Sequence, residues 1–212
     1  MTITGVKYGK CAKCECNALL LPKNKGLCLT CVNGEAKVYS TPKDYTLFRY
    51  KANAFAANAH TGQVRKYTGE PYIVHPYEVY SIVLEIGGTD AMLAAALLHD
   101  TVEDTSVTIS DIRKEFSPDI ADLVADLTDV SKPEDGNRAV RKEIDRQHTA
   151  QASPEAKTIK LADLISNSVS IVQHDPSFAK VYMKEKAALL EVLTEGNAHL
   201  HARASEQVKK FQ

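Results

Sequence analysis

The chain has 212 residues, a mass of 23.3 kDa, 44% hydrophobic and 25% charged residues, and a formal net charge of −1. That suits one packed domain with a small appendage and excludes global disorder, while near-neutral charge argues against a chain-wide nucleic-acid surface. The longest apolar run, Ala91–Leu98, is 8 residues and the opening MTITGVKYGK lacks a signal-like apolar stretch; with roughly 20 apolar residues needed to span a bilayer, a cytoplasmic chain with no membrane partner is expected.

Charge and cysteine divide the chain. Residues 1–35 carry five lysines against Glu15 and Glu35, a net of +3, which leaves −4 on the remainder. All five cysteines lie there too, as Cys11-x2-Cys14, Cys16 and Cys28-x2-Cys31. Two CxxC pairs offer four thiolates to a tetrahedral Zn²⁺, which would supply folding energy that so short a segment cannot draw from a core. Cys16 is a spare that could replace Cys14. Ser40, Thr41 and Pro42 read as a linker, so residues 1–40 are expected to form a zinc-ribbon-like segment and 41–212 a second domain.

From residue 43 onward the pattern is helical. Ala52, Phe55, Ala56 and Ala59 share a helical face. Residues 61–76 are polar and turn-rich, hence a loop, and a helix from Pro76 to about Glu85 ends at Gly87-Gly88. Thr89 or Asp90 caps one helix running through MLAAALLHDTVED. Thr108 and Asp111 form a capping box, and Ser117-Pro118, Ser153-Pro154 and Asp175-Pro176 each place a cap before a first-turn proline. Residues 131–137 form a further loop. The expected fold is all-α, with eight or nine helices after the small ribbon.

The apolar helix ending in His99-Asp100 should be buried on nearly all sides. A buried carboxylate beside an imidazole needs a partner, and a metal ion is one. His75, at a loop-to-helix junction, and Asp163, in the apolar stretch IKLADLISN, complete a set of two imidazoles and two carboxylates. That set suits Mn²⁺, Fe²⁺ or Mg²⁺ better than a closed structural zinc. Glu103 and Asp104 fall four residues beyond His99 and Asp100, where they could orient or deprotonate a water. Arg65 and Lys66 could clamp phosphate at the rim. Lys160 and Asn167, at −3 and +4 from Asp163, could touch phosphate or base. For each of these alone, a plain structural role fits as well.

The run AHTGQVRKYTGEPYIVHPYEV, then AALLHDTVEDT, then IKLADLISN resembles the hydrolase domain of the RelA/SpoT family, in particular its stand-alone small alarmone hydrolases. The likeness covers about residues 45–195. It implies an all-helical HD-domain bundle that binds one Mn²⁺ and removes the 3′-pyrophosphate of guanosine tetra- or pentaphosphate, giving GDP or GTP plus pyrophosphate. It implies His75, His99, Asp100 and Asp163 as metal ligands, and Glu103 and Asp104 as activators of the attacking water. It further implies that Arg65 and Lys66 bind nucleotide or phosphate, with Asn167 near base or ribose. Two positions depart from the family pattern: Leu164 stands where a basic residue is usual, and Ser168 where Leu or Met is usual. The cysteine ribbon is an addition to the pattern.

Three other readings share these residues. An HD-type hydrolase could act on another nucleotide such as NADPH, since fold does not decide substrate. A nucleotide-binding regulator with a decayed site is opposed by the complete set of acidic and imidazole groups. A nucleic-acid module led by the ribbon is opposed by its modest charge and missing aromatic interleaving. A small-molecule nucleotide is therefore the expected partner, and the oligomeric state, a homo-oligomer included, stays open.

Overall fold

The computed structural model describes residues 7–10, 17–20 and 45–211. The expected zinc ligands Cys11, Cys14, Cys28 and Cys31, the spare Cys16 and the linker at 40–42 lie outside the described residues. Two short strands, β1 (Lys7–Lys10) and β2 (Asn17–Leu20), pair antiparallel with Lys7 opposite Leu20 and Lys10 opposite Asn17.

The remainder is helical: α1 (Tyr45–Ala59), α2 (Val74–Glu85), α3 (Asp90–Leu98), α4 (Thr101–Asp104) and α5 (Ile109–Glu115), then α6 (Pro118–Leu127), α7 (Arg138–Gln151), α8 (Pro154–His174), α9 (Pro176–Leu190) and α10 (Ala198–Phe211). The caps follow the sequence. Thr89 accepts from Met92 N, Ser117 from Ile120 N, Ser153 from Ala156 N and Asp175 from Phe178 N. The Thr108–Asp111 capping box is reciprocal. Each such cap satisfies an amide that the helix leaves without a partner, for about 1 kcal/mol.

The core centres on α3, where every residue from Met92 to Leu98 is buried. It is wrapped by α1, α2, α6 and α8. At the turn before it, Gly87 adopts φ +73° and the Gly88 Cα sits so close to Val83 that a Cβ would lie 2.4 Å from Val83 Cγ1. Only glycine allows both the left-handed turn and the close approach.

Two expectations need amendment. The single helix expected through MLAAALLHDTVED breaks at His99-Asp100. Asp100 sits at φ −90°, ψ −7°, while His99 Nδ1 contacts Ala96 O at 2.9 Å and Thr101 Oγ1 donates to Leu98 O at 2.6 Å. Side chains thus take carbonyls of the last turn that a continuing helix would have used. This break helps raise the count to ten α-helices among the described residues, beside a 3₁₀ turn at Pro133–Asp135, against eight or nine expected. The loop 61–76 is also more ordered in pattern than its composition suggests: an antiparallel bridge joins Val64 to Pro71, and Arg65 N donates to Glu70 O at 2.8 Å. No described helix is long and apolar enough to cross a membrane.

Candidate metal centre

Three elements deliver the candidate ligands. The start of α2 carries His75, the break after α3 carries His99 and Asp100, and the middle of α8 carries Asp163. His75, His99 and Asp163 are all buried and present one ligand atom each within 4.8 Å of one another. His75 Nε2 lies 3.1 Å from Asp163 Oδ1 and 3.5 Å from Asp100 Oδ2. His99 Nε2 lies 3.1 Å from Asp100 Oδ1. Asp100, partly exposed, therefore spans both imidazoles, and all four side chains picked out in the sequence converge.

The donor set fits a divalent cation. His99 Nε2 is buried without a hydrogen-bond partner, although Asp100 Oδ1 lies 3.1 Å away. A lone pair orphaned among carboxylates is the arrangement a metal ion completes. The electrostatics agree. Burial alone would push the His99 imidazole down, but the charge of Asp100, with Asp163 behind it, raises it to about 9. Burial likewise opposes ionisation of Asp100 and Asp163, yet both are held well below the usual carboxylate range, Asp100 chiefly by His99 and Asp163 chiefly by Lys160. A proton and a metal ion compete for the same imidazole lone pair in such a site.

Around the cluster, Asn167 Nδ2 donates to Asp163 Oδ1 at 2.6 Å, and Arg65 Nη1 reaches Asn167 Oδ1 at 3.4 Å. Lys160 Nζ lies 3.5 Å from Asp163 Oδ2. Its burial disfavours the charge, but Asp163, Asp129, Glu103 and Asp100 together outweigh that and hold it protonated. Glu103 accepts from Asp129 N at 2.7 Å. It stands at the rim of a crowded acidic cleft; loss of hydration, reinforced by Asp129 and Asp100 and opposed by Lys160, pushes its carboxyl up to about 7. Asp104 sits on the other flank beside Tyr72, whose phenol is raised by burial and by Asp100 and Asp104. Lys66 is the one basic candidate held apart: it is exposed, pairs with Asp175 at 3.8 Å and lies over the Tyr67 ring.

Several participants escaped the sequence reading. Tyr72 Oη donates to Asp100 Oδ2 at 2.8 Å. Ser166 Oγ lies 3.0 Å from His75 Nδ1 and donates to Glu78 Oε2 at 2.6 Å. A spacing signal existed: Tyr72 precedes His75 by three residues, Glu78 follows it by three, and Ser166 follows Asp163 by three, one turn along the same face.

Two cavities flank α8. One, of about 600 Å³, is lined by Lys160, Asp163 and Asn167, with Arg138, Lys142 and Lys184 among its cations. Arg138 is bound to Glu185 by two contacts of 2.6 and 2.8 Å, and Lys142 to Asp129 at 2.7 Å. Leu164, where a basic residue was expected, is buried against this cavity. The other, of about 910 Å³, is lined by Arg65, Glu78, Ser166 and Arg203.

The HD domain family matches residues 52–181. The Xenopus tropicalis guanosine-3′,5′-bis(diphosphate) 3′-pyrophosphohydrolase MESH1 is 42% identical over 130 residues, 58% of this chain and 69% of the relative. A Streptomyces coelicolor GTP pyrophosphokinase is 40% identical over 118 residues, 55% of this chain. The chain spans 14% to 20% of that enzyme and of comparable long relatives from Mycobacterium leprae and Arabidopsis thaliana. A solved structure, described as a metazoan ortholog of SpoT that hydrolyzes ppGpp and plays a role in starvation responses, superposes with a TM-score of 0.68 at 30% identity. It covers 82% of this chain and 98% of that one. With more than half of its residues matched and over two thirds of the Xenopus enzyme covered, the chain belongs to the HD-domain family, in the group that includes that hydrolase.

Proposed function

We propose that the chain is a Mn²⁺-dependent hydrolase that removes the 3′-pyrophosphate of guanosine tetra- or pentaphosphate in the cytoplasm. The observation that carries this reading is the meeting of His75, His99, Asp100 and Asp163 around an orphaned imidazole nitrogen, beside a cavity with cationic walls. Its 600 Å³ is within the range of small-molecule sites. The names of the Xenopus relative and of the superposing structure support the substrate.

His75, His99, Asp100 and Asp163 would hold the cation. When bound, it supplies Lewis acidity that neutralises phosphate charge and acidifies water. Glu103, with its carboxyl near neutrality, takes the proton from the attacking water, the position where a general base works best. Asp104, on the Tyr72 side, orients that water. Water oxygen attacks the phosphorus on the ribose 3′-oxygen, the P–O3′ bond breaks, and GDP or GTP leaves with its 3′-hydroxyl restored alongside pyrophosphate. Lys160, fixed as a cation among the carboxylates, and Arg65 from the loop before α2 stabilise the charge that builds on the phosphate, and Lys66 joins them only on leaving its pair with Asp175. Asn167 holds Asp163 in place and faces the nucleotide. Residues 41–212 are the catalytic domain in this reading, and residues 1–40 a Zn²⁺-binding ribbon held by Cys11, Cys14, Cys28 and Cys31.

A product assay tests this. Incubated with guanosine tetraphosphate and Mn²⁺, the protein should release GDP and pyrophosphate, and a chelator should stop it. NADPH in a parallel reaction separates the substrate classes: phosphate from NADPH with no guanosine product would keep the hydrolase and refute the alarmone.

A further inference from the structure

The two imidazoles of the site are oriented by different means. His99 Nδ1 faces a backbone carbonyl, Ala96 O, which only accepts, so its proton is fixed on Nδ1 and its lone pair on Nε2. His75 Nδ1 faces the hydroxyl of Ser166, and a hydroxyl can either donate or accept. Were Ser166 to donate, the His75 proton would move to Nε2 and close the nitrogen that faces Asp163. What decides is Glu78. Its carboxylate, which accepts only, takes the single hydroxyl proton at 2.6 Å. The Ser166 oxygen is left with lone pairs toward His75, and His75 Nδ1 must carry the proton.

We propose that Glu78, acting through Ser166, is a positioning residue that locks His75 in the Nδ1–H form and so presents Nε2 to a divalent cation. The relay joins α2 to α8, the two helices that supply His75 and Asp163. It rests on the reading of His75 as a cation ligand. Outer groups that orient a ligating histidine contribute about 10- to 100-fold to metal affinity.

The test is a titration of the full chain with Mn²⁺, followed by electron paramagnetic resonance. Glu78→Ala and Ser166→Ala should each weaken binding about tenfold, whereas Glu78→Gln, whose amide oxygen still accepts from Ser166, should stay within about threefold. The decisive arm is the double variant. If Glu78 acts only through the hydroxyl, Glu78→Ala should cost less than about twofold in a Ser166→Ala background. An equal loss in both backgrounds would show a bare charge effect and overturn the relay. Glu78 is exposed, so its variants should melt like the wild type without Mn²⁺. His75→Ala separates the two levels. Loss of Mn²⁺ in that variant, with Glu78→Ala unaffected, overturns the relay alone; wild-type binding in His75→Ala overturns the ligand assignment as well.

Discussion

Helices α3 and α7 stand at opposite extremes of burial, and both border the candidate site. Every side chain of α3 from Met92 to Leu98 is buried; of α7 only Asp145 and Thr149 are. The buried helix ends in the candidate ligands His99 and Asp100, whose placement is set by packing. The exposed one offers Arg138 and Lys142 to the cavity on tethers of charge, to Glu185 and Asp129. Rigid groups thus fall where a cation demands fixed geometry, and adjustable ones where a flexible polyphosphate would be met.

The sharpest way to break this contrast is at the ligand. Asp100→Ala should lower turnover by about 10³-fold or more under saturating substrate, since it removes charge from both imidazoles at once. Unchanged turnover would remove Asp100 from the site. Next is the packing behind it. Leu98→Ala should destabilise by about 2–5 kcal/mol in urea unfolding, because the α3 environment cannot collapse around the void. The α7 counterpart, Lys142→Ala, should stay under about 1 kcal/mol.

Between these lies Lys186, a buried cation on α9 beside the same cavity. It donates to Ser168 Oγ at 2.7 Å and Gln207 Oε1 at 2.6 Å, and burial pushes its amine down to about 8. The unfolded chain then holds this proton more tightly than the folded one, so stability should rise as pH climbs from about 8 towards 10.5. Lys186→Met should abolish that slope and add about 1–3 kcal/mol at pH 7, read as the difference between the two proteins. A further effect is expected at the cavity wall. Arg138→Ala should raise KM about tenfold with kcat little changed, as loss of a uniform binding contact does.

The same contrast explains what could be read from the sequence. Local chemistry was legible: Thr89, Thr108, Ser117, Ser153 and Asp175 each cap where a side-chain oxygen precedes a helix. The convergence of His75, His99, Asp100 and Asp163 was legible because chemistry restricts such a set to few residue types in apolar surroundings. Contacts decided by the packing of distant elements were not. Ser166 meets His75 across 91 positions of chain; its spacing from Asp163 puts it on the candidate ligand's face of the helix but does not say which distant group it meets. The helix break at Asp100 was hidden for a related reason: nothing in HDTVED signals a stop until the Thr101 hydroxyl is seen to claim Leu98 O.

Helix α8 runs 21 residues from Pro154 to His174 and divides the two cavities, with Lys160, Asp163 and Asn167 turned to one and Ser166 to the other. Each residue advances an α-helix by about 100°. A single inserted or deleted residue between positions 160 and 167 would therefore swing one part of this set around the barrel of the helix and strand it from the rest. Point substitutions there change one contact, but a change in length turns several side chains away from their cavity at once. The stretch is thus closed to drift in length throughout, and at Lys160, Asp163, Ser166 and Asn167 to drift in composition as well.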